Sequence, residues 1–118
     1  MALRALSTEE LANTATLFSS FMGRTGSRPR TVRELLGIYR ERRHQLADGE
    51  DREDDLRVER FMRDMADERW CEDVVMRIGV FDGQVRVIDG THRAIAYLGC
   101  VQDGVGAERL PALCVDAF

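Results

Sequence analysis

The chain is expected to fold as an α+β domain, with helices in its N-terminal part and a small mixed sheet carrying a further helix in its C-terminal part. Three observations lead there. Two capping boxes, Ser7-x-x-Glu10 and Thr31-x-x-Glu34, each precede apolar residues at helical spacing. Asp82-Gly83 separates two partly alternating apolar runs, the strongest hairpin signal in the chain. Residues 85–100, VRVIDGTHRAIAYLGC, read as a strand that turns sharply into a helix.

In chain order, Ser7 opens a helix over 8–22, with Leu11, Leu17, Phe18 and Phe21 on its apolar face. The stretch 23–30, GRTGSRPR, is a break, read as a helix connector in preference to a basic loop closing on an anion. Thr31 opens a second helix, to about residue 46, with Arg40, Arg42 and Arg43 near its end, where cations suit the dipole, and His44 at the surface. The acidic run 48–55 lacks the ligand spacing of a calcium loop and leads into a third helix over 54–68. Strands follow over 74–81 and 84–88. The next helix covers 91–99, with Thr91 as N-cap and Gly99 as its stop, and a last strand covers 110–116. The 118 residues form one domain, with a helical N-terminal part over 1–53 and the remaining core over 54–118.

Composition narrows the function. All 17 basic residues are arginine, so a Walker-type phosphate loop, a Schiff base and a catalytic lysine are excluded. The net charge of −4 gives no broad attraction for nucleic acid, and duplex DNA is not an expected partner. No long apolar run suggests a membrane span or a signal peptide. Cys71, Cys100 and Cys114 are an odd number without metal spacing, which reads as free thiols in a reducing cytoplasm.

The chemistry concentrates in Asp89-Gly90-Thr91-His92-Arg93. Gly90 permits a tight turn, and a helix start offers free N–H groups and a positive dipole end to an anion. Arg93 adds a planar fork suited to phosphate, and His92 a second donor. Asp89 can hold a metal, orient a hydroxyl or take a proton. Glu72 and Asp73 are reserve bases, with a polar lead into the strand as the simpler explanation. Trp70 reads as a core anchor.

These five residues, followed by Ala94, Ala96 and Gly99 and then by Leu110-Pro111-Ala112-Leu113-Cys114-Val115, resemble the ParB/sulfiredoxin superfamily over residues 56–118. The resemblance implies a phosphate-binding turn. Its members use it to bind CTP on DNA, to repair oxidised cysteine with ATP, or to phosphorylate free serine; others have been called nucleases. Sulfiredoxins carry their catalytic cysteine where this chain has Thr91, which cannot form a thiolate, so sulfinic-acid repair is not expected. Members usually open with a strand, where this chain shows two capped helices.

Together these readings lead to a nucleotide-dependent phosphotransferase acting on a small hydroxylated metabolite, an amino acid being one such acceptor. Asp89, His92, Arg93 and Glu72 would be catalytic. Gly90, Thr91, His92 and Arg93 would hold ATP or another nucleoside triphosphate, with Mg²⁺ on Asp89. The alternatives are other biosynthetic chemistry on the same turn, or a CTP- or phosphate-binding module without catalysis.

Overall fold

A computed structural model describes residues 2–5, 7–47, 49, 52–67, 75–81, 83–104 and 114–117, with 2–5, 75, 80, 81 and 114–117 described by their backbone. The elements are β1 (Ala2–Ala5), α1 (Thr8–Asn13), β2 (Ala15–Thr16), α2 (Val32–Arg42), α3 (Arg52–Ala66), β3 (Val75–Phe81), β4 (Gln84–Asp89), α4 (Thr91–Asp103) and β5 (Cys114–Ala117). The strands form one sheet in the order β1-β5-β3-β4-β2. It is mixed: β1–β5 and β3–β4 are antiparallel, β3–β5 and β2–β4 parallel. The α+β class holds.

Both capping boxes form as the sequence requires. Ser7 Oγ accepts from Glu10 N–H at 3.1 Å, and Thr31 Oγ1 accepts from Glu34 N–H at 3.2 Å, each returned by the glutamate side chain. The first helix is nevertheless shorter than expected. It stops at Asn13, and Thr14 turns to extended backbone (ψ 129°). The reason lies in the partners offered to Thr16: its N–H and its hydroxyl both bond the Arg30 carbonyl, at 2.8 and 2.7 Å, while residues 15–16 pair with β4. Phe21 and Arg24 then close a tight turn through Met22 (φ +50°) and Gly23 (φ +78°). The helical spacing of Phe18 and Phe21 therefore serves a loop, and Leu17 is exposed.

The N-terminal part is also not purely helical. It supplies both edge strands, β1 beside β5 and β2 beside β4. A strand does precede α1, in the place where two helices had been expected to open the chain. The second and third helices shift modestly, ending at Arg42 and starting at Arg52. The stretch 23–30 does not join two helices directly, because α1 ends at Asn13; it lies between β2 and α2, where Arg24 pairs with Glu41, Arg28 pairs with Glu34, and Arg30 donates to the Ser19 carbonyl. At the end of α2, Arg40 pairs with Asp103, and Arg42 donates to the Met22 carbonyl. These arginines tie the N-terminal part to itself and to α4.

The most enclosed helix is α4, with residues 94–100 all buried against α2 and α3. Met76, Ile78 and Val87 of the sheet join Leu35, Ile95 and Leu98 in one core. Gly99 does not stop α4. A Cβ there would meet Met62 Cε at 2.3 Å and Leu36 Cδ1 at 3.2 Å, so the residue is glycine because two helices press on it. The stop is Gly104, in the left-handed conformation with its N–H bonded to the Cys100 and Val101 carbonyls. The last strand is described over 114–117, against an expected 110–116. No helix among the described residues is long and apolar enough to cross a membrane.

Candidate functional site

Strand β4 pairs with β3 through Arg77 and Asp89, next to an irregularity between Arg77 and Ile78. It delivers the chain to Gly90, whose φ of +86° only glycine adopts without strain. A Cβ on Gly90 would also lie 3.4 Å from Met76 Cα. That distance is an ordinary contact, so it is the positive φ that calls for glycine. Gly90 itself is the N-cap of α4, in place of Thr91, and it has no side chain to cap with. Thr91 is the first helical residue and is buried. Its hydroxyl is displaced from the capping position because the left-handed turn happens one residue earlier.

The consequence is an uncapped helix start. The first intrahelical bond, from Ala94 N–H to the Gly90 carbonyl, is 2.9 Å long. The N–H groups of Thr91, His92 and Arg93 precede it and have no side-chain cap among the described residues. A 13-residue helix aims its positive end at the same place.

A cavity of about 450 Å³ lies there. Asp89, Gly90, His92 and Arg93 form one side of it. The other side is α3, which contributes Arg57, Arg60, Phe61 and Asp64 at three- and four-residue spacing. Arg93 lays its guanidinium over the Phe61 ring, 5.3 Å from the centroid. Its Nε is buried and has no hydrogen-bond partner among the described residues. Arg57 is held by Glu53 at 2.9 Å, whereas Arg60 makes no ion pair among the described residues. Three guanidinium groups and one helix terminus therefore converge on a cavity that also presents the carboxylates of Asp64 and Asp89. The arrangement suits an anion with several negative charges together with a polar neighbour.

The sequence-derived site residues divide three ways. Asp89, Gly90, His92 and Arg93 come together on the cavity. Thr91 is buried and is not among the residues lining the cavity. Glu72, with Trp70, Cys71 and Asp73, lies outside the described residues. The motif gave no sign of the α3 contribution, or of Asp54, whose Oδ1 lies 2.7 Å from His92 Nε2. The available signal was the face of α3 on which Asp54, Arg57, Phe61 and Asp64 recur.

Among the described residues no three histidine, cysteine, aspartate or glutamate side chains are grouped to hold a metal by themselves. A magnesium ion bound with phosphate needs only one or two carboxylates, and Asp89 on the cavity fits that donor set. Cys100 is buried beside the Met62 carbonyl, and burial together with Asp103 pushes its thiol above the ordinary range, the opposite of a reactive cysteine. No family model, curated protein or solved structure matches the chain.

Proposed function

We propose that the protein is a small nucleotide-dependent phosphotransferase whose triphosphate rests on the start of α4. The observation that carries this reading is the meeting of an uncapped helix terminus with Arg57, Arg60 and Arg93 in one cavity. The resemblance of Asp89–Arg93 to the ParB/sulfiredoxin turn supports the choice of phosphate among anions. It also supports a small hydroxylated acceptor, such as an amino acid.

In this reading the N–H groups of residues 91–93 bind phosphate oxygens. Arg93, oriented by the Phe61 ring, stabilises the charge that develops on the transferred group. Arg60, unpaired among the described residues, takes the far end of the polyphosphate. Asp89 orients the acceptor or binds Mg²⁺, which when bound neutralises phosphate charge. A second reading, a phosphate-binding module that does no chemistry, is favoured by one observation: the His92 ring is packed beside Phe18 and Phe21, as a structural histidine would be.

The two readings separate in a turnover assay with ATP, GTP and CTP, with and without Mg²⁺, across a panel of hydroxylated acceptors. Arg93→Lys keeps the charge and loses the fork; Asp89→Asn keeps the size and loses the charge. Phosphotransfer requires that each lowers turnover by about 10²-fold or more, with little change in Tm. Nucleotide binding without any turnover in the wild type would favour the module.

A further inference from the structure

His92 is fixed by three parts of the chain. Asp54 of α3 holds its Nε2, Phe18 meets the ring edge-on with centroids 5.6 Å apart, and α4 carries its backbone. Phe21 adds a second ring at 6.2 Å. The imidazole is 14% exposed and Asp54 30%, so the pair is partly shielded from water but not sealed. Asp54 lies in the first turn of α3, where a helix favours a carboxylate.

An ionised carboxylate only accepts, so the shared proton belongs to Nε2. A neutral His92 then keeps its lone pair on Nδ1, the ring's remaining polar atom, which has no partner among the described residues. His92 also lines the cavity that holds Arg93 and Asp89. A histidine that lines an anion site, with one nitrogen oriented by a carboxylate and the other without a partner among the described residues, is arranged as a general base.

We propose that Asp54 is a positioning residue that makes His92 the base for the acceptor hydroxyl; this rests on the phosphotransferase reading. The acceptor O–H proton passes to His92 Nδ1 while the acceptor oxygen bonds the terminal phosphorus. The bond from that phosphorus to the bridging oxygen breaks, and its electron pair leaves with the nucleoside diphosphate. The imidazolium, held through Nε2–H by Asp54, afterwards releases its Nδ1 proton to water. The charged groups around this exchange are Asp54 on α3, then Arg57, Arg60 and Asp64 from α3 and Asp89 and Arg93 from the turn.

The test compares wild type, Asp54→Asn and Asp54→Glu. Long-range ¹⁵N–¹H spectra of the wild type should show the His92 proton on Nε2, and Asp54→Asn should shift it toward Nδ1. Asp54→Asn should lower kcat by about 10²-fold, the contribution usual for a positioned base. Its KM for nucleotide should stay within about twofold, and Asp54→Glu, which keeps the carboxylate, should recover part of kcat. Wild-type turnover unaffected by Asp54→Asn would overturn the proposal and leave phosphotransfer standing, as would a wild-type proton on Nδ1. Absence of turnover in the wild type would overturn the phosphotransferase reading and this role with it. The wild-type spectrum decides the tautomer even if Asp54→Asn does not fold.

Discussion

Two glycines bracket α4, and replacing each with alanine separates the turn's stability from its function. Gly90 has φ +86° and Gly104 has φ +70°, so an alanine at either is strained by about 1–2 kcal/mol. Among the described residues Gly104 has nothing within 4 Å of its missing Cβ, and at Gly90 the nearest atom is Met76 Cα at 3.4 Å, an ordinary contact. The two variants should therefore lose similar stability. At roughly 4 °C per kcal/mol for a chain of this size, each Tm should fall by about 4–8 °C in a calorimeter. Their effects on ligand should differ. Gly90 lines the cavity and sets the direction of the N–H groups of residues 91–93; Gly104 lies at the opposite end of the helix. Loss of one hydrogen bond to a charged group is worth about 1.5 kcal/mol, or more than tenfold in Kd. Pyrophosphate titrated by calorimetry should bind Gly90→Ala about tenfold more weakly than Gly104→Ala. Equal affinities in two equally destabilised variants would refute the role given to the turn, and a Gly90→Ala protein as stable as wild type would refute the strain.

Three further outcomes follow from single side chains. Asp55 is fully buried, accepts no hydrogen bond among the described residues, and has Arg52 Nη1 at 3.1 Å, so Arg52→Ala should destabilise by about 3 kcal/mol in urea unfolding, by stranding a buried charge. Glu34 is held down to about 2, from an ordinary 4.5, first by the Arg28 hydrogen bond and then by the Thr31 N–H; a depressed acid stabilises the fold above its unfolded value, so the Tm advantage of wild type over Glu34→Gln should be full above about pH 4.5 and vanish as pH falls toward 2. Cys100→Ala should leave turnover within about tenfold while lowering stability by about 1 kcal/mol, since the thiol is buried packing; complete loss of activity in the folded variant would contradict this.

Local signals carried far in this chain. Ser7 and Thr31 announce their helices because a cap needs only its own four residues, and Gly90 is legible because a strand leading into a helix needs a sharp turn. What depended on distant partners was not legible. Thr14 and Thr16 leave the first helix because Arg30, fourteen residues beyond Thr16, offers its carbonyl. Gly99 looked like a stop and is a packing notch for Met62 and Leu36. Residues 2–5 are too few and too rich in alanine to read as a strand, and they pair only because β5 presents an edge. The candidate site shows the same division. Asp89–Arg93 stand together in the sequence, whereas Asp54, Arg57, Arg60 and Phe61 reach them only through the packing of α3 on α4.

The most direct test of the account is an amide-resolved NMR titration of the protein with ATP, in the presence and absence of Mg²⁺. If the triphosphate rests on the start of α4, the amide signals of Thr91, His92 and Arg93 should move first and furthest, with the Arg60 and Arg93 side-chain signals following, and Arg93→Lys should weaken the whole response. Saturation by ATP with those three amides unmoved, or no saturable response to ATP or pyrophosphate at millimolar concentration, would contradict it.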